Sequence, residues 1–449
     1  MQGKALDWLR LPPLPPPAFG LPVQLRYWTP GIALHSLRSP TMTRIVHTAD
    51  WHLGARLIDH DRLPEQKKFL DWLLLQLAEL RPDLLIVAGD IFDVASPPQE
   101  ALNLYYTFLS RLTSVGCRTL ILGGNHDSPA NLQAPQDVLR AIAVTIVASP
   151  PADPAKAVLE LDEFVVCGVP YLRDRDVRTA AAGQSADEVA AATRQGITDH
   201  YRRIFSLAQA QARGRPIIGT GHLTTLGSSS SSSERTIHIG NLGAIDSRCF
   251  DGFAYTALGH IHRPQSVGGN EFVRYAGSPI PLSFDEVDLA KEIRVIDLKD
   301  GALTQRAIPV PLFRLLLRRT TTAASIAADL APDQSPAGDA LIPWVELTVS
   351  DCRSHPDIAR QVREATKTLR LEVLKVLPPP LDANSTSQAD TDSSSSLSEL
   401  RPDEVFAERL HREKIDPNLP EGRALVETFT ELMSGLHDTD ASIPAEAAR

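Results

Sequence analysis

Leu84-Leu85-Ile86-Val87-Ala88-Gly89-Asp90-Ile91-Phe92-Asp93 is the stretch on which the reading of this 449-residue chain turns. Its first five residues are apolar without alternation, too short a run for a helix and too continuous for a sheet with one wet face. They read as a strand covered on both sides. The run stops at Gly-Asp, a turn that sets a carboxylate at the carboxyl end of the strand. The same pattern recurs on either side. Thr43 to Thr48 leads to Asp50-Trp51-His52, and Thr119 to Leu122 leads to Gly124-Asn125-His126-Asp127. Pro216 to Gly219 leads to Gly221-His222, and Tyr255 to Leu258 leads to Gly259-His260-Ile261-His262. Phe164 to Val166 adds another strand, and helical patterns fill Glu65 to Leu80 and Glu100 to Val115. Strands alternating with helices over residues 43–300 define an α/β domain with a buried sheet, whose strand ends are where ligands sit.

The side chains gathered at those ends suit divalent cations. In an extended backbone, Asp50 and His52 would point to one side, as would His260 and His262. Glycines at 89, 124, 221 and 259 allow sharp turns and close backbone approach. Carboxylate and amide oxygens mixed with imidazole nitrogens suit manganese, iron or zinc better than magnesium or calcium. One carboxylate can bridge two such ions roughly 3.5–4 Å apart, an arrangement suited to in-line displacement at phosphorus. Each motif alone has a plain explanation: a surface turn, an Asx hydrogen bond, a satisfied polar histidine. The ordered set, each member closing a strand, does not. Five of the thirteen histidines lie in these segments, and the others, including His47, His60 and His238, read as ordinary structural groups.

Outside this domain the composition shifts. Residues 1–41 carry eight prolines and no periodic pattern, and read as a disordered extension preceding a natural start at Met42, without a signal-peptide core. Residues 308–380 read as a small α+β unit with strands at Phe313 to Leu317, Trp344 to Val349 and Leu371 to Val376. A Ser/Thr/Asp-rich linker spans 381–399. Residues 400–437 carry two short helices, the second with Leu425, Phe429, Leu432, Met433 and Leu436 on one face, suited to docking a partner or packing back on the chain. No apolar run reaches membrane-spanning length. Four scattered cysteines fit a reducing, cytoplasmic setting. The net charge of −10 means that nucleic-acid binding would have to use local patches and bound metal. Arg56, Arg62 and Arg263 flank the motifs and could meet phosphates, although a solvated surface charge is the simpler role for each.

The ordered set D-x-H, G-D-x-x-D, G-N-H-D, G-H and G-H-x-H resembles that of the calcineurin-like metallophosphoesterases. Ala49 to Gly54, His222 to Thr225, Leu258 to Arg263 and Gly277 to Phe284 are similar to the nuclease-subunit family of the bacterial SbcCD complexes. That resemblance is strong over residues 43–300 and looser as far as Pro402 to Phe406. It implies a β-sandwich flanked by helices, a capping domain that touches DNA, and a C-terminal helical pair that binds an SbcC-like ATPase. It implies one metal ion on Asp50, His52, Asp90 and His262, and a second on Asp90, Asn125, His222 and His260, with Asp90 bridging and Mn2+ the usual ion. It further implies that His126 assists the leaving 3′ oxygen and that Asp127 orients His126. The activity implied is 3′ to 5′ exonuclease action on double-stranded ends and endonuclease action on single strands and hairpins, in DNA repair and recombination, by a homodimer within a heterotetramer. Two other functions share these residues: a phosphatase or cyclic-nucleotide phosphodiesterase on the same metal core, and a non-catalytic DNA-binding scaffold. The intact ligand set speaks against the scaffold. The added small domain and tail helices are more than a small-molecule phosphatase needs.

Overall fold

The computed structural model describes residues 42–178, 185–231, 244–336 and 340–379, together with Leu410 and Gly422. The chain divides into two compact units, residues 1–378 and 379–449. The expected extension at 1–41 and linker at 381–399 lie outside the described residues. So do the tail helices at 400–437, apart from Leu410 and Gly422, both helical.

Two six-stranded sheets form the larger part of the first unit. In one, Met42–Thr48, Leu84–Val87, Arg118–Leu122 and Val144–Val147 run parallel, and Glu292–Lys299 and Ala302–Pro309 add an antiparallel hairpin at the open side of Met42–Thr48. In the other, Asn270–Tyr275, Tyr255–Gly259, Ile217–His222 and Val165–Cys167 are parallel, flanked by antiparallel Gln265–Val267 and Val158–Glu160. The period of two along each strand sorts the side chains into layers. Ile45, Leu84, Ile86, Leu120 and Leu122 meet Val166, Ile218, Tyr255 and Ala257 between the sheets. Val46, Leu85, Val87 and Ile121 face the opposite way, toward the helices Leu63–Leu80 and Gln99–Leu112. The outer face of the second sheet packs on the helix Ala186–Ala212. The strands are apolar throughout because both sides are covered, so the α/β sandwich flanked by helices is as expected.

Two elements differ from expectation. The Ala186–Ala212 helix has little apolar contrast, since its core side is Ile197, Tyr201 and Ile204 followed by Ala208 and Ala212. Its start is fixed by a reciprocal Ser185–Glu188 cap. The first sheet also runs past residue 300. Asp300 and Gly301 both take positive φ, 52° and 78°, and close the 292–309 hairpin tightly.

Leu316–Thr321, Trp344–Val349 and Glu372–Leu377 form a separate parallel sheet with the helices Ile326–Leu330 and Ile358–Thr366. Val345, Leu347, Val349 and Val362 are at its core. A buried charge cluster joins this small domain to the sandwich. Glu65 binds Arg62 through Nε at 2.8 Å and Arg314 through Nε at 2.8 Å. The Arg314 guanidinium lies 3.8 Å from the centre of the Trp344 ring. Arg62 is 1% exposed, so it is an internal structural group and not a solvated or phosphate-facing charge.

Candidate metal centre

The parallel strands of both sheets deliver their carboxyl ends to one place. There the loop after Thr48 is tied to the loop after Val87: Asp50 N–H donates to Gly89 O at 3.1 Å and His52 N–H to Asp90 O at 3.0 Å. The backbone here is curled, not extended. Asp50, His52, Asp90 and His260 have φ of 52°, 45°, 47° and 95°. Such left-handed residues cost of order 1–3 kcal/mol each and cluster at functional sites. Asp50 and His52 therefore converge because both residues are left-handed, not through strand alternation. Among the motif glycines only Gly89 has positive φ, 91°. Gly124 serves by being small, since a Cβ there would collide with the carboxylate and amide nitrogen of Asp90.

Six of the convergent side chains, Asp50, His52, Asp90, His222, His260 and His262, are buried, and Asn125 and His126 are half-buried. His222 Nε2 is 3.2 Å from Asp90 Oδ2 and 2.9 Å from Asn125 Oδ1. His52 Nε2 is 3.6 Å from the same Asp90 oxygen. Asn125 Oδ1 also lies 2.9 Å from His260 Nδ1. Asp50 Oδ1 accepts the His260 N–H at 2.8 Å. Two clusters of donor atoms within 4.8 Å of one another, Asp50/His52/Asp90 and Asp90/His222/His260, share Asp90. His262 stands beside the first, its ring 5.0 Å from that of His52.

This donor set fits divalent cations. Asp50 Oδ2, His52 Nε2 and His126 Nε2 are buried and without a hydrogen-bond partner, a costly state unless a cation or substrate completes them. The far nitrogens are committed: His222 Nδ1 faces Ala88 O at 2.8 Å, His52 Nδ1 faces Asp93 Oδ1 at 3.1 Å, and His262 Nδ1 lies 3.4 Å from Glu286 Oε1. Oxygens at those positions make Nδ1 the N–H donor and aim the Nε2 lone pair inward, the usual support for metal-binding imidazoles. Burial opposes ionisation of Asp90, but the neighbouring imidazoles, His222 foremost, outweigh it and hold that carboxyl well below its ordinary range. Burial likewise disfavours protonation of His52 and His222. Hydrogen bonding to Asp93 and the charges of Asp90 and Asp50 overcome it, raising each to about 9.

Asp127 is placed otherwise than the resemblance implied. Its oxygens accept N–H bonds from Gly124 at 2.8 Å, Phe92 at 3.0 Å and Ile91 at 3.1 Å. It pins two loops together, while His126 Nδ1 donates to the carbonyl of Asp93 at 2.6 Å. The two residues are adjacent in sequence, but the turn sends their side chains apart. Asp93, Glu286 and Lys291 were not assigned roles from sequence. Asp93 had a signal in the G-D-x-x-D spacing; Glu286 and Lys291 had none, lying well beyond His262 in the chain. His47 is structural, with its ring nitrogens facing Tyr255 Oη and Leu258 O.

A sandwich with Asp90 shared between two donor clusters at the strand ends defines a calcineurin-like phosphoesterase, and that family's profile matches residues 43–264. Residues 313–414 match a profile described as the type 5 capsule protein repressor C-terminal domain. The SbcD nuclease of the SbcCD complex of Escherichia coli K12 is 37% identical over 408 residues, covering 88% of this chain and 100% of that one. The SbcD nuclease of Rhodobacter capsulatus is 33% identical, covering 74% and 86%. That of Bacillus subtilis is 32% identical, covering 58% and 67%. The chain belongs to the SbcD family of SbcCD nucleases, and it is a metal-dependent phosphodiesterase.

Proposed function

We propose that this chain cleaves DNA phosphodiester bonds with two divalent cations, Mn2+ in the active enzyme. One is held by Asp50, His52, Asp90 and His262 and the other by Asp90, Asn125, His222 and His260. The observation that carries this reading is the position of Asp90 in both donor clusters. Bound there, the cations supply an acidified water nucleophile and offset the charge of the phosphate. The protein supplies the rest. The curled backbone holds the donors before substrate arrives, so little reorganisation accompanies reaction. His126, with Nδ1 donating to Asp93 O, has Nε2 available to protonate or hydrogen-bond the leaving 3′ oxygen.

The SbcD relatives support 3′ to 5′ exonuclease and single-strand or hairpin endonuclease action in DNA repair and recombination, with an SbcC-like ATPase as partner. Leu75 and Tyr106, exposed on the paired Leu63–Leu80 and Gln99–Leu112 helices, support pairing of two copies within a heterotetramer. Among the described residues no helix is long and apolar enough to cross a membrane. The four cysteines are free thiols, which supports a cytoplasmic setting. The deciding experiment incubates the purified chain and Mn2+ with linear DNA, with a hairpin and with a chromogenic phosphate ester. DNA cleavage is expected; fast ester turnover over intact DNA would make the chain a small-molecule phosphatase instead.

A further inference from the structure

Glu286 and Lys291 form a buried ion pair against His262. Both are almost fully enclosed, at 0% and 6% exposure. Lys291 Nζ donates to Glu286 Oε2 at 2.6 Å, to Ser278 Oγ at 2.8 Å and to the His262 carbonyl at 3.1 Å. The same carbonyl accepts the Ser278 N–H at 3.2 Å. Glu286 Oε1 lies 3.4 Å from His262 Nδ1, and Oε2 also accepts the Leu282 N–H at 3.1 Å. The pair thus touches His262 at its imidazole, through the carboxylate, and at its backbone, through the ammonium. Two apolar side chains of similar volume would fill this space without desolvating two charges, but they would hold neither end of His262.

We infer that Glu286 and Lys291 are positioning residues that clamp His262, through its ring nitrogen and its carbonyl, in the orientation needed to bind one of the two cations. This rests on the reading of His262 as a cation ligand. With Nδ1 committed as donor to the carboxylate, Nε2 carries the lone pair. With the carbonyl tethered, the ring cannot swing with its loop. The cation on the His262 side should depend on the clamp, and the one on the His222 and His260 side should not.

The test is Mn2+ titration of the full-length chain, counting free Mn2+ by electron paramagnetic resonance, with thermal unfolding alongside. The parent should bind two equivalents. Glu286→Gln combined with Lys291→Met removes both charges together, and should weaken one equivalent by about 10–100-fold while leaving the other unchanged. Its lost DNA cleavage should return at high Mn2+, a shift in the Mn2+ requirement more than in kcat. Should that variant fail to fold, Glu286→Asp keeps both charges and withdraws the carboxylate by one methylene; a selective weakening of about ten-fold or more is expected there too. Two equivalents at parent affinity with only a lowered melting temperature would overturn the clamp. His262→Ala separates the two readings. If it keeps both equivalents at parent affinity, the ligand assignment fails and the clamp with it; if it loses one while the Glu286 variants lose none, only the clamp fails.

Discussion

The main-chain carbonyl of Asp93 accepts from Nδ1 of His126 at 2.6 Å, and the carboxylate of the same Asp93 lies 3.1 Å from Nδ1 of His52. One residue therefore sets two imidazoles, whose rings stand edge to face at 4.8 Å. Asp127, next to His126 in the chain, has its oxygens committed to backbone amides instead.

This arrangement separates two substitutions that sequence alone would treat alike. Asp93→Asn weakens the bond that orients His52 and should reduce cleavage by roughly 10–100-fold with little change in melting temperature. Asp127→Asn presents an amide N–H to backbone donors, leaving buried groups unpaired at about 1–3 kcal/mol. Its main effect should be a lower melting temperature. Equal melting temperatures for the two variants would contradict these roles.

His126→Gln should lower cleavage by about 10²–10⁴-fold, the range for a lost general acid, with both cations retained. Asp90→Ala should lose cations and activity together, since it removes the shared carboxylate. Elemental analysis of the two variants beside nuclease assays checks this. An Asp90→Ala protein still active with Mn2+ would refute the bridging role.

Cation loading should release protons. In chelated protein His52 and His222 titrate at about 9, so they are protonated at pH 7. Their raised values stabilise the cation-free fold fully below pH 6.5, and this contribution fades as pH rises through about 9. Apparent Mn2+ affinity should climb over the same interval. Calorimetry at pH 7 in buffers of differing ionisation enthalpy measures the protons displaced, and a buffer-independent heat would contradict the prediction.

His47 makes the opposite contribution. Burial keeps its imidazole neutral, down to about 3. Below pH 6.5 the unfolded chain takes up the proton that the folded chain refuses, and stability falls progressively toward pH 3. The loss should be about 2 kcal/mol between pH 7 and pH 5. His47→Gln should flatten that part of the denaturation profile; an unchanged slope would count against it.

The sandwich was legible because both its faces are covered, which leaves strands such as Leu84 to Ala88 apolar throughout. The donors were legible because each sits within a few residues of such a strand. Ala186–Ala212 was not, because alanines give a helix a weak apolar stripe. Arg62 and Glu65 look like a solvated i,i+3 pair until Arg314 and Trp344, far along the chain, enclose them. Glu286 and Lys291 were invisible for the same reason: their partner His262 is near only after folding. Asp127 was misjudged because adjacency in sequence says little about side-chain direction in a tight turn.

The contact between Gly124 and Asp90 has a consequence for anyone scanning this protein by substitution. Gly124 brings no side chain to the reaction, yet even alanine there would press on the carboxylate on which both proposed cations depend. A saturation screen scored on survival or activity should therefore rank Gly124 beside Asp90. Inactivity there would record lost space and not lost chemistry, and only direct measurement of bound cation would tell the two apart.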